Sequence, residues 1–170
     1  MVPSTEECKR LWDEFDMPEN IRQHSLNVNK AAMQIAEKLK KAGEDIDLGL
    51  VNAASLLHDL DKFRTLDDVH NHGHMAESWL KERGYNKVGE VIRKHIVPEI
   101  MKDSKAGWED KVVNYADKRV LNEKIVSLEK RFEYLRKRYR KFFSKDHEDA
   151  IIALEDKIFK KMDITPDDII

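Results

Sequence analysis

The stretch SLLHDLDKF, residues 55–63, runs an apolar segment straight into charged chemistry. Ala53, Ala54, Leu56 and Leu57 lead to His58 and Asp59, and Asp61 and Lys62 follow at once. A buried carboxylate without a partner is costly, so this polar tip needs an explanation. The same break in an apolar pattern recurs elsewhere. His24 lies three residues after Ile21 and four before Val28. His95 lies seven after Val88 and four after Val91, and Asp117 lies four after Val113 and three before Val120. At helical spacing these positions share a face with their apolar neighbours.

One inward histidine is most often a hydrogen-bonded core residue. Several inward histidines and carboxylates together ask for a common cause. A metal centre supplies one, because it turns neutral imidazoles and carboxylates into ligands.

The chain around these positions reads as helical almost throughout. Four prolines and six glycines in 170 residues leave little room for loops, and 41% hydrophobic with 38% charged residues fits a mostly helical protein with a charged surface. Ser4 with Glu7 forms a capping-box pattern ahead of Leu11, Trp12 and Phe15. Ile21, Val28, Ala32, Ile35 and Leu39 form the stripe of a second helix that Gly43 can end. Asp47 caps a third, expected from Leu48 to about His58. Further helices are expected from about His72 to Arg83, from Asn86 until Pro98 closes it, and from Trp108 to about Leu121. The stretch EKIVSLEKRFEYLRKRYRKFF, 123–143, reads as one long charged helix, and Asp146 to Met162 as another. No strand is expected. The division is residues 1–122 as the main domain and 123–170 as a charged helical hairpin, packed on the body or on a second subunit in a homodimer.

Other classes of protein are excluded or disfavoured. No run of about 18 apolar residues suits a membrane span, and the polar, acidic start does not read as a signal peptide. The net charge of −2 gives no global pull toward nucleic acid or membrane. The lone Cys8 cannot form an internal disulfide, which fits a cytoplasmic location, and it reads as a stray surface thiol.

The order His24, then His58-Asp59, then Asp117, each on its own helix, resembles the H…HD…D pattern of the HD superfamily of metal-dependent phosphohydrolases. IRQHSLNV (21–28) resembles that family's first-histidine helix, LLHDLDK (56–62) its HD helix in the HDIGK variant, and VVNYADKRV (112–120) its final-aspartate helix. Asp61 replaces the glycine of HDIGK. HGHMAESWL (72–80) and VIRKHI (91–96) resemble the added histidine segments of the two-metal subgroups, with a ligand order like that of the diadenosine tetraphosphate hydrolase-like group. His72 aligns with the family histidine. His74 is the second choice and His70 the third, and Ala76 stands where the family often has glycine.

The resemblance implies an all-α HD-domain bundle, with the C-terminal hairpin appended. It implies two divalent metal ions, iron or manganese first, with Mg, Co, Ni or Zn as alternatives. Asp59 would bridge them, His24, His58 and Asp117 would complete one, and His72 and His95 would belong to the other. The activity implied is cleavage of a phosphoester or phosphoanhydride of a nucleotide or dinucleotide by metal-activated water. Lys62 stands at the family's lysine, as a phosphate contact or a solvated charge. Asp61 is carried as a catalytic residue that assists with protons, with a surface or helix-cap role as the alternative. Lys118 and Arg119 follow the final aspartate and read mainly as solvated charge, with Arg119 also carried as a substrate contact.

Two other classes stand beside the enzyme. A metal-bearing scaffold could sense a nucleotide, or bind RNA or protein, without turnover. Arg131, Arg136, Lys137, Arg138, Arg140 and Lys141 offer a basic stretch for RNA, although the interleaved Tyr134, Tyr139, Phe142 and Phe143 fit packing better. A purely structural bundle, with histidines that merely hydrogen-bond, predicts no metal at all.

Overall fold

The computed structural model describes all of residues 1–170 and is an all-α bundle. Its helices are α1 (Thr5–Glu14), α2 (Glu19–Lys41), α3 (Leu48–Leu57), α4 (His74–Glu82), α5 (Asn86–Arg93), α6 (Val97–Lys102), α7 (Trp108–Lys118), α8 (Leu128–Arg138) and α9 (Lys145–Phe159). Single 3-10 turns cover Lys62–Arg64 and Pro166–Asp168.

α2 and α3 form the centre. Val28, Ala31, Ala32, Ile35, Ala36 and Leu39 of α2 are fully buried, and α3 is buried along most of its length. The small residues Ala31, Ala32, Ala53 and Ala54 let these helices approach closely. Asp47 caps α3 by accepting from Leu50 N at 3.0 Å. α1 is pinned to this pair by Trp12, whose indole N–H donates to Leu56 O at 2.9 Å. Its capping box, Ser4 with Glu7, forms as the sequence indicates. Cys8 is not at the surface as expected. It lies fully buried in the core, where burial pushes its thiol up to about 12.

Three departures from the sequence expectation matter for the site. α5 ends at Arg93, before Pro98, and Pro98 instead enters the first turn of α6, where its missing N–H costs nothing. His95 therefore sits in the break between two helices. α7 stops at Lys118, and Val120–Leu121 pair antiparallel with Lys124–Ile125 around Asn122, whose φ of 55° lies in the left-handed region. A small hairpin thus stands where the end of one helix and the start of the next were expected. The long helix expected over 123–143 shortens to α8, capped by Ser127. α9 packs on α7 and α6, and Ile151 and Ile158 of α9 join the same core cluster as Leu128, Phe132 and Leu135 of α8.

Gly73 opens α4 with a φ of 82°, and an added Cβ would stand 3.3 Å from Ile96 and 3.5 Å from the Arg93 backbone. Gly73→Ala is expected to destabilise the protein by roughly 1–2 kcal/mol. An unchanged urea midpoint would show that this backbone can relax.

Candidate metal centre

The four inward imidazoles arrive from different elements and are oriented alike. In each, Nδ1 faces an oxygen that can only accept, so Nδ1 carries the proton and Nε2 points inward. His24 Nδ1 lies 3.3 Å from Asn122 O, His58 Nδ1 2.8 Å from Ser55 O, His72 Nδ1 2.7 Å from Asp61 Oδ1, and His95 Nδ1 2.5 Å from Ile92 O. The small hairpin supplies the first of these carbonyls. The turn at the end of α3 supplies the second and brings Asp59 in beside it.

The inward atoms converge on Asp59. Its Oδ2 lies 3.5 Å from His58 Nε2 and 3.8 Å from His24 Nε2. Its Oδ1 lies 3.1 Å from His72 Nε2 and 3.7 Å from His95 Nε2. Asp117 Oδ1 joins the first group, 3.1 Å from His24 Nε2 and 3.6 Å from His58 Nε2. His24, His58 and Asp59 form one cluster able to hold a metal ion, and Asp59, His72 and His95 form another.

The donors fit such an ion. His58 Nε2 and Asp59 Oδ1 are buried without a hydrogen-bond partner, and native interiors rarely leave such atoms unpaired. His95 Nε2 and His72 Nε2 face each other at 3.2 Å, a contact that needs a proton or a cation between them. Imidazole with carboxylate suits Fe, Mn, Co, Ni or Zn.

The charges support the same arrangement. Burial works to raise Asp59, yet Lys62, His58 and His72 around it hold its carboxyl well below the usual range. Burial likewise opposes ionisation of Asp117, and Lys118, then the adjacent His24 and His58, and Arg131 hold it well below the usual range. His95 is pushed well down, first by burial and then by the neighbouring His72 and His58. His72 moves the other way: burial lowers it, but the Asp59 and Asp61 carboxylates beside it raise it to about 9.

His72 is thus the histidine of its loop that reaches the cluster. His74, the second choice, begins α4 and is exposed at the rim of the adjoining cavity. His70, the third, packs edge-on against Phe142 at 5.5 Å between ring centres. Lys62 reaches Asp59 Oδ2 at 2.7 Å and lines the cavity, where Asp59 and Asp117 outweigh burial and raise its pKa.

Two expected site residues are placed elsewhere. Asp61 does not face the cavity. It is fully buried, bonds His72, and accepts from Gly73 N at 2.8 Å and Ala76 N at 2.9 Å, so it holds the start of α4 and aims His72. Arg119, carried as a substrate contact, turns away. Its guanidinium bonds the Tyr115 hydroxyl at 2.6 Å, Val126 O at 2.6 Å and Pro166 O at 3.0 Å, which ties the chain end to α7.

Other residues at the site were missed or undervalued. Asn114 donates to Lys94 O at 2.9 Å and His95 O at 3.0 Å, and Lys118 donates to His95 O at 3.1 Å, so α7 grips the break that carries His95. Asn114, three residues before Asp117 and four before Lys118, shares a helix face with them, and that spacing was the available signal. Lys118 is buried and lines the cavity, not solvated as expected. Arg131 also enters it, whereas Arg136 and Lys137 pair with Glu148 and Glu133.

The HD domain family model matches residues 21–165, and the chain belongs to that family. An uncharacterized protein of Methanocaldococcus jannaschii is 29% identical over 155 residues, covering 82% of this chain and 88% of that protein. No solved structure matches the chain. No helix is long and apolar enough to cross a membrane.

A ligating imidazole must be neutral, while His72 in the metal-free chain keeps its proton up to about pH 9. Metal uptake at neutral pH should therefore release about one proton from this residue. Calorimetric titration with manganese, in two buffers of different ionisation enthalpy, reads that release. Identical apparent enthalpies in the two buffers would contradict it.

Proposed function

We propose that the protein is a metal-dependent phosphohydrolase that binds two divalent ions, iron or manganese first, on either side of Asp59. Its substrate in this reading is a phosphoester or phosphoanhydride of a nucleotide. The observation that carries the reading is the convergence of four Nε2 atoms on one buried carboxylate whose two oxygens face different imidazole pairs. His24, His58 and Asp117 would complete one ion, and His72 and His95 the other.

Lewis acidity toward a water and toward phosphoryl oxygens is what such ions would supply. The chain's own residues do the rest. A cavity of about 400 Å³ opens beside the cluster. Lys62, Lys102, Lys118, Arg131 and Arg138 line it against the carboxylates Asp59, Glu99 and Asp117, an excess of cations suited to an anionic substrate. Lys62 and Lys118 each hold a carboxylate and face the space where phosphoryl oxygens would lie, ready to offset charge that develops there. Asp61 keeps the His72 ring turned to the cluster.

Elemental analysis of anaerobically purified chain should give about two metals, falling toward one in His95→Ala. With manganese or iron, the wild type should release phosphate or a nucleoside product from a nucleotide panel, and Asp59→Asn should lower kcat at least about 100-fold. A chain that takes up no metal after reconstitution, or that binds metal but cleaves no member of the panel, would overturn the reading. Nucleotide binding without turnover would leave a sensor in its place.

A further inference from the structure

The cavity beside the cluster has two unlike walls. One carries the cluster with Lys62 and Lys118. The other is built by the chain after residue 127. α8 contributes Arg131, Leu135 and Arg138, the segment that follows contributes Tyr139, Phe142 and Phe143, and α9 contributes His147. Nothing in the cluster requires this second wall, because every donor atom comes from residues 24–117.

Arg131 is unusual in this wall. It is 7% exposed, and its Nε is buried with no hydrogen-bond partner. Its terminal nitrogen stands 3.7 Å from Asp117 Oδ1, an ion-pair distance too long for a hydrogen bond. Its guanidinium carbon lies 5.4 Å from the centre of the Tyr134 ring. A guanidinium fork that lines the cavity and makes no hydrogen bond to its nearest carboxylate suits two oxygens of one anion. Apart from Arg138 and His147 the rest of this wall is apolar and aromatic, and the cavity opens to solvent at Phe142 and Leu66, which are half-exposed. The cavity volume lies near the small end of the ~300–1,000 Å³ common for ligand sites.

We propose that Arg131 is a phosphate-gripping residue of this site and that the wall around Phe142 favours substrates carrying a planar ring that can pack against it. This deepens the phosphohydrolase reading and rests on it for the identity of the anion. It assigns to the C-terminal segment the choice of substrate, and to the metal cluster the chemistry.

The test uses the full chain loaded with manganese and two phosphonates that cannot be hydrolysed, phenylphosphonate and methylphosphonate, with binding followed by calorimetry. Arg131→Gln should weaken both at least about tenfold, and should raise KM for phenyl phosphate more than it lowers kcat. Arg131→Lys, which keeps the charge but not the fork, should fall between wild type and Arg131→Gln, and it replaces that variant if Arg131→Gln does not fold. Phe142→Ala should reduce the preference for phenyl- over methylphosphonate at least about threefold. Unchanged phosphonate binding in the Arg131 variants, with lower metal content or an earlier melt, would make Arg131 only a partner of Asp117 and overturn the proposal. An unchanged preference in Phe142→Ala would overturn the selective wall. Arg131-dependent phosphonate binding in a chain that cleaves no ester would sink the hydrolase reading and leave the anion grip standing.

Discussion

The Asp59 carboxylate is the constraint on which the rest depends. It is almost fully buried, and its oxygens face two different sets of imidazoles. A carboxylate there carries a heavy desolvation cost unless positive charge surrounds it. The fold gathers partners for it from every side, charged ones and imidazoles. α2 brings His24, the end of α3 brings His58 and Lys62, the loop before α4 brings His72, and the α5–α6 break brings His95. Each imidazole is then turned by an oxygen on its outer edge, so the hydrogen bonds around the site matter as much as the donors within it.

The central frame was legible because it follows simple periodicity. The stripes of α2, α3 and α7 are apolar at helical spacing, and the polar residues interrupting them are those that meet. The HD pairing and the later histidines pointed to the same cluster, and the structure brings His24, His58, Asp59, His72, His95 and Asp117 together. What was hidden depends on local backbone turns. Asp61 read as a reactive carboxylate because its neighbours are polar, but the 3-10 turn after α3 directs it to the amides of Gly73 and Ala76. Arg119 sits two residues from Asp117, yet α7 ends between them and sends it to the opposite side. The Val120–Ile125 hairpin is too short for alternation to reveal, although it holds the carbonyl that orients His24.

Arg131 shows a different limit. It belongs to a run of basic residues, and that run reads as a basic surface for RNA. α8 breaks that uniformity, since its apolar stripe of Leu128, Phe132 and Leu135 turns Arg131 inward while Arg136 and Lys137 stay out to pair with glutamates. Burial of one cation from a charged helix is visible only when the packing partner is known. The cavity therefore joins two kinds of information: a ligand set spaced along the first part of the chain, and a wall that exists only in three dimensions.

The most direct test of the Asp59 account is anomalous diffraction from crystals grown with manganese. The account requires two peaks flanking the Asp59 carboxylate, one within bonding reach of His24, His58 and Asp117 and one within reach of His72 and His95. A peak on one side alone would reduce the centre to a single ion. Manganese bound elsewhere, with neither side of Asp59 occupied, would contradict the account outright.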